Sequence, residues 1–282
     1  MVLAQGHFTR ASCKTSRNQM PNRSTDENIV RLYRRLLCSR DLRDQRKQFP
    51  VEGIRNIVVA KQNHWQIQHI IRSRTLLRSL AGRTAVATLQ SRKIPVTDVS
   101  PEQFRSLNRQ PRASGLLAIV GQKLQSLTEV KPTEHAVWIA ITRIRSQGNL
   151  GTLMRSSAAL GGSGLILIGD NPDPFDPNVL RSAMGSAFRQ TLIRTSWSEL
   201  NRASNNGWTI IGADASATQN ISNTKFPKGS IIMLGDERKG LSSRQKAACQ
   251  QLVKIPMRPD SDSLNIAIAG SILLYQAQRE IP

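Results

Sequence analysis

Three short stretches of this 282-residue chain hold polar and glycine residues at spacings that could do chemistry. NLGTLMR sets Asn149 six residues ahead of Arg155. GDERKGL places Gly235, Glu237 and Gly240 directly after an apolar run, and a third stretch runs from Ile255-Pro256-Met257 to Ser263-Leu264-Asn265. Two glycines five positions apart after an apolar run suggest a phosphate cradle, but Leu241 stands where a P-loop needs its lysine, so no triphosphate site is expected. ALGGSG offers a glycine fingerprint for a nicotinamide cofactor, yet it follows a helix and precedes a strand, the reverse of the required order. Taken singly, each stretch also reads as a helix cap with a surface charge, a turn or a helix start.

The elements that must position these residues follow from apolar periodicity. AVWIAI, GLILIG, WTIIGA and SIIMLG are short, continuous apolar runs, the pattern of strands buried on both faces, and they alternate with helical stretches. NLGTLMRSSAALGG reads as a helix ended by Gly161, Asp176-Pro177 opens another, and DSLNIAIAGSILLYQAQ is a closing helix capped by Asp262 or Ser263. The expected fold is α/β, with a C-terminal, mostly parallel sheet over residues 136–282. Ligands bind such sheets outside the carboxyl ends of the strands, so the loops after AVWIAI, SIIMLG and LVKIP are the ones to carry a site.

Upstream, DENIVRLYRRLL spaces Ile29, Leu32, Leu36 and Leu37 on one helical face, and VEGIRNIVVAKQ does the same with Val51, Ile54 and Val58. WQIQHII, a basic helical stretch through Arg83, IPVTDV, a helix opened by Ser100-Pro101 and the strand GLLAIVG complete a small α/β domain over 30–120. Residues 121–135 read as a linker. Residues 1–29 read as a basic disordered tail, with an organelle transit peptide as the alternative.

Composition narrows the partner. Lys and Arg number 40 against 19 Asp and Glu, a net charge of +21 with a pI near 11.3, which favours a polyanion, RNA or DNA. From Arg31 to Lys93, 15 of those cations face only Asp41, Asp44 and Glu52, so more than half of the excess sits in under a quarter of the chain. Aromatics at 4% are too few for a base-stacking ladder, which points to recognition through backbone and shape. Cys13, Cys38 and Cys249, with His7, His64, His69 and His135, form neither a disulfide framework nor a metal-ligand spacing. No apolar run approaches the roughly 20 residues of a membrane span. The expectation is a soluble protein of a reducing compartment, cytoplasmic, or organellar if the N-terminus is a transit peptide.

Together and in this order, NLGTLMR, LGDERKGLS and IPMRPDSDSLNIAIA resemble the three motifs of the SpoU (TrmH) family of RNA ribose methyltransferases, and LRSAMGSAFR between them resembles a further family segment. The likeness spans 131–282. FPVEGIRNIVVA followed by ASGLLAIV is similar to the ribosomal-protein-like substrate-binding domain that many members carry. TRIRSQGNLG departs from the common pattern, with Arg143 and Arg145 where many relatives are more acidic.

The resemblance implies a deep trefoil knot, a homodimer pairing through the knotted domain, and methyl transfer from S-adenosylmethionine to a ribose 2′-hydroxyl, in ribosomal RNA ahead of transfer RNA. The rival is an RNA-binding or ribosome-assembly protein with the same fold and no turnover. The implied cofactor pocket uses Gly235, Gly240, Ile255 and Leu264, with Leu234, Met257 and Asn265 beside them. Such a reaction needs no metal, but the nearly neutral hydroxyl must shed its proton as it attacks. Arg155 is the implied catalytic residue, and since arginine keeps its proton in proteins, phosphate or oxyanion stabilisation suits it better than a general-base role. Asn149 would orient Arg155 or the ribose, Glu237 would pair with Arg155 or lie near the sulfonium, and Ser263 and Asn265 would hydrogen-bond the substrates.

Overall fold

The structure is a computed structural model that describes residues 25–110, 112–134, 136–203, 206–258, 260 and 263–279. Most of the N-terminal tail, with His7, Cys13, His135 and Asp262, lies outside them.

The first half of the chain runs α1 (Thr25–Cys38), α2 (Arg40–Arg46), β1 (Gln48–Glu52), α3 (Ile54–Gln62), β2 (Ile67–Arg72), α4 (Leu80–Ser91), β3 (Val96–Asp98), α5 (Pro101–Leu107) and β4 (Leu116–Gly121). Its four strands form one sheet in the order β1-β4-β2-β3, antiparallel except for the parallel pair β2 and β3. Helix α1 begins inside the stretch expected to be tail, and Tyr33, absent from the expected apolar face, is fully buried with Leu36 and Leu37. Val51, read as the start of a helix, belongs instead to β1. Gly53 separates the two elements at φ 89°, and the helix begins at Ile54. Ser100 caps α5 by accepting the Gln103 N–H, with Pro101 in the first turn.

The second half runs β5 (Val137–Arg143), α6 (Gln147–Ala159), β6 (Gly164–Ile168), α7 (Pro177–Ala183), β7 (Thr191–Thr195), α8 (Trp197–Ala203), β8 (Thr209–Ala213), β9 (Gln219–Asn220), β10 (Ser230–Asp236), α9 (Ser243–Ala247), β11 (Gln251–Lys254) and α10 (Ile266–Arg279). The strands form one sheet in the order β7-β6-β5-β10-β8-β11-β9, and every pairing in it is parallel. Side chains alternate across it as a period of two requires. Val137, Ile139 and Ile141 join the core shared with α6 and α10, while Trp138 and Ala140 join the core under α8.

The two sheets share a core. Phe49 of β1 stacks on Phe175 with centroids 4.4 Å apart, Trp65 meets Phe188 edge-on at 5.2 Å, and the Trp65 indole N–H donates to the Phe188 carbonyl at 3.0 Å. Arg43 of α2 donates through Nε to Asp173 Oδ2 at 2.7 Å and through Nη1 to the Leu36 carbonyl at 2.6 Å, and lies 3.5 Å from Asp176. Both side chains of the Arg43–Asp173 pair are 3% exposed. The connecting stretch is pinned as well: Gln125 bridges to β7, donating to the Leu192 carbonyl and accepting from the Arg194 N–H.

Candidate active site

The site is built where β5, β8, β10 and β11 end. After β5 the chain turns into α6 through Ser146, whose hydroxyl accepts the Asn149 N–H at 3.3 Å and fixes Asn149 in the first turn. After β10 it folds into a tight loop in which Asp236 and Gly240 exchange backbone hydrogen bonds at 2.9 and 2.8 Å. Gly240 takes φ 67°, where a side chain is strained. Gly235 is required for a different reason, since a Cβ there would lie 2.1 Å from the Gly240 carbonyl carbon.

Asp236 organises this loop. Its Oδ1 accepts the Arg238 and Lys239 N–H groups at 2.8 and 3.1 Å, and Oδ2 faces Arg145 and Arg143 at 3.5 and 3.7 Å. The Arg238 N–H above all, with the Lys239 N–H and the two guanidiniums, holds this carboxyl below the usual range despite partial desolvation.

Glu237 is thereby aimed back at the other motifs. Its Oε1 accepts from Asn149 Nδ2 and its Oε2 from the Arg145 N–H at 3.0 Å, while its own N–H donates to the Arg143 carbonyl at 3.2 Å. Asn149 Oδ1 accepts from Asn265 Nδ2 at 3.1 Å, and Asn265 Oδ1 accepts the Ala267 N–H at 2.9 Å, capping α10. A continuous relay thus runs from the start of α10 through Asn265 and Asn149 to Glu237. It joins three stretches that are more than 110 residues apart at the extremes.

Beside the relay lies a cavity of about 360 Å³ lined by Leu234, Gly235, Gly240, Ile255, Met257 and Leu264, with Glu237 and Ser263 also in its wall. Asn265 does not line the cavity itself, and its amide is engaged at both ends within the chain, where it positions Asn149. It also replaces Asp262 or Ser263 as the cap of the closing helix, which starts at Ile266.

Arg155 stands apart. Six residues along α6 from Asn149 means a rise of about 9 Å and roughly 240° of rotation, so the two point from different faces. Arg155 is exposed and its Nη1 donates to Met184 Sδ at 3.3 Å. The expected partnerships of Arg155 with Asn149 and with Glu237 are not formed within this chain: Glu237 is held by Asn149 and the Arg145 N–H, and the helical rotation turns Arg155 away from both, towards Met184.

Sequence reasoning missed the loop after β8. Ala213, Asp214 and Ala215 line the cavity, as does Lys246 of α9. The strand-end rule covers WTIIGA as it covers its neighbours, so the signal was present. Among the described residues, no group of three or more His, Cys, Asp and Glu is placed to hold a metal ion, and no helix is long and apolar enough to cross a membrane.

Gly235→Ala forces the loop backbone apart. It is expected to destabilise the fold by about 1–3 kcal/mol, as overpacking does, and to abolish ligand binding in the cavity. Thermal unfolding and calorimetry check this, and native-like values in both would contradict the packing described.

Comparisons with known proteins bear on both halves of the chain. Residues 136–275 match the model of the SpoU rRNA Methylase family, and residues 28–118 match an MRM3-like substrate binding domain. A 23S rRNA (uridine(2479)-2′-O)-methyltransferase of Streptomyces viridochromogenes is 27% identical over 279 residues, 96% of this chain and 96% of that protein. An uncharacterised tRNA/rRNA methyltransferase of Synechocystis is 35% identical over 53% of this chain, which spans only 56% of that relative. Among solved structures, the AdoMet-bound rRNA methyltransferase from Sinorhizobium meliloti superposes with a TM-score of 0.82 at 26% identity, over 92% of this chain and 97% of its own. The SpoU methyltransferase AviRb of S. viridochromogenes, in complex with AdoMet, gives 0.78 at 26% identity, over 91% and 98%.

Proposed function

Starting from the fact that this chain belongs to the SpoU rRNA methylase family, we propose that it transfers a methyl group from S-adenosylmethionine to a ribose 2′-hydroxyl of RNA, ribosomal RNA first. The observation that carries this is the Asn265–Asn149–Glu237 relay gathered beside a cavity at the strand ends. S-adenosylmethionine, when bound, supplies an electrophilic methyl on a sulfonium sulfur.

The residues present fit that cofactor. A volume of about 360 Å³ falls in the range of small-molecule sites, roughly 300–1,000 Å³. Leu234, Ile255 and Leu264 offer apolar walls, Gly235 leaves backbone exposed to a ligand, and Glu237 places negative charge where a sulfonium is favoured. Arg238 and Lys239, exposed at the rim, suit the phosphates of an entering strand. Asn149 and Asn265 hold Glu237 in one orientation, so that the hydroxyl meets a site already arranged.

The small N-terminal sheet and its helices are the RNA grip in this reading. Its contacts fall to the exposed cations, Arg31, Arg35, Arg46, Arg55, Arg83 and Lys93 among them, rather than to every basic residue between Arg31 and Lys93. Arg43 is buried, and Arg72 and Arg74 share Asp98.

The chain pairs with a second copy through the outer face of α10. Ile268, Ile272 and Tyr275 recur at helical spacing there and are 52%, 37% and 54% exposed. Because α6 packs against α10, the same pairing brings Arg155, which does not line its own cavity, towards the neighbour's. The knot belongs to the same picture, supported by the insertion of β10 between β5 and β8 and by the return of α10 from β11 onto β5 and β10. Ile272→Glu is expected to convert a dimer to monomers in analytical ultracentrifugation and to reduce methyl transfer with it. A variant that stays dimeric would move the interface elsewhere.

Calorimetry with S-adenosylmethionine, followed by methyl transfer to ribosomal and transfer RNA, tests the reading. No binding would overturn the cofactor assignment. Binding of both ligands without transfer would favour the rival in which the fold only binds RNA.

A further inference from the structure

The cavity contains a second charged feature, which the relay at Glu237 leaves unused. Asp214, just past the end of β8, and Lys246 of α9 both line the wall. The Asp214 N–H donates to the Val253 carbonyl at 2.9 Å, tying this turn to β11. Asp214 Oδ1 accepts the Ser216 N–H and hydroxyl at 2.9 and 2.8 Å, and Oδ2 is paired with Lys246 Nζ. An ionised carboxylate offers about four acceptor positions, and these donors fill three. The side chain is only 11% exposed and borders the cavity, so the fourth is available to a cavity ligand. Burial opposes the charge, yet Lys246 and the Ser216 donors hold the carboxyl below its ordinary range, so the group accepts hydrogen bonds and does not donate them.

Resting on the cofactor reading above, we propose that Asp214, held in place by Lys246, accepts a hydrogen bond from a ribose hydroxyl of the cofactor's adenosine and so helps select the cofactor. The distances along the sheet suit this. The reacting methyl must lie towards Glu237 at the end of β10, and β8 is the adjacent strand, about 4.8 Å away. The ribose hydroxyls are four and five bonds from the sulfur, a comparable reach. An acidic side chain near a strand end that binds a ribose hydroxyl is also the solution adopted in dinucleotide-binding sheets. The competing account makes the pair a staple that holds α9 against the β8 loop, with no contact to the ligand.

Calorimetric titration of S-adenosylhomocysteine and its 2′-deoxy and 3′-deoxy forms into the native chain, Asp214→Ala and Asp214→Asn separates the two. A hydrogen bond to a charged acceptor is worth about tenfold or more in affinity, so one deoxy form should bind the native chain that much more weakly. In Asp214→Ala the parent ligand should be weakened by a similar factor, and removing that hydroxyl should then cost nothing further. Asp214→Asn keeps an acceptor for Ser216 and, with thermal unfolding as a control, reports on ligand contact even if the alanine variant fails to fold. Equal weakening of all three ligands in both variants is the staple result and overturns the proposal, as does unchanged affinity. A native chain that binds S-adenosylhomocysteine but ignores both hydroxyls overturns it too while the cofactor reading stands. A native chain that does not bind S-adenosylhomocysteine removes both.

Discussion

Arg155→Ala is expected to lower kcat for methyl transfer by about two to three orders of magnitude, the usual cost of removing one donor aimed at developing negative charge, with cofactor affinity within about twofold of native. The separation of the two effects follows from geometry. Arg155 does not line its own chain's cavity and is exposed, with Met184 Sδ as its hydrogen-bond partner, so none of the groups that line the cofactor cavity of its own chain is altered when it is removed. A guanidinium remains protonated and can stabilise a 2′-oxyanion or fix a phosphate. Because the arginine is brought to the reaction by the second copy in this account, Arg155→Ala mixed with a variant carrying an inactive cavity, such as Gly235→Ala, should restore part of the activity through mixed dimers. Loss of cofactor binding in Arg155→Ala would instead make the residue part of the cofactor site and contradict this placement.

Arg43→Met should be the most destabilising single change outside the cavity. It leaves Asp173, 3% exposed, without its partner, and breaking a buried pair from one side costs about 3–5 kcal/mol. For a chain of this size that is a fall in Tm of roughly 10 °C, read by calorimetry. The damage should be reversible by removing the other charge: Arg43→Met with Asp173→Leu is expected to regain most of the lost stability. The pair also joins the N-terminal half, proposed above to grip RNA, to the half that bears the cavity, so at a temperature where both variants are folded the single variant should raise KM for RNA and leave cofactor affinity unchanged. A single variant as stable as the native chain would show that Arg43 is not load-sharing at this interface.

Much of the second half was legible because its strands announce themselves. Runs such as VWIAI and GLILI are apolar throughout, which only a doubly covered parallel sheet tolerates, and caps such as Ser100 and Asp176 mark helix starts by side-chain chemistry that is local in sequence. Boundaries set by tertiary context were not. Val51 has helical spacing to Ile54 and Val58, but pairing with Ala118 of β4 makes it a strand residue, and only the positive φ of Gly53 marks the break.

In the site, the three motifs could be identified as belonging together, but not which atoms they exchange. Asn265 reads as a substrate contact, with the helix cap assigned to Asp262 or Ser263, and only the structure shows its amide used at both ends, capping α10 and holding Asn149. The pairing of Glu237 with Arg155 is attractive by charge alone. It fails because α6 turns Arg155 away from Asn149, a rotation that a count of six residues implies once the helix is laid out. Asp214 was passed over since GADAS resembles an ordinary turn until β11 and α9 close around it.

The central claim is a ribose methylation, and its most direct test is the chemical identity of the product. The native protein is incubated with ribosomal RNA, with transfer RNA in a parallel arm, and with methyl-labelled S-adenosylmethionine. The RNA is then digested to nucleosides and resolved by mass spectrometry. The account predicts label on the 2′-oxygen of one nucleoside, resistance of the adjoining phosphodiester to alkaline cleavage, and loss of both with Arg155→Ala. Label carried on a base, or no label on either RNA from a chain that binds the cofactor, would contradict it.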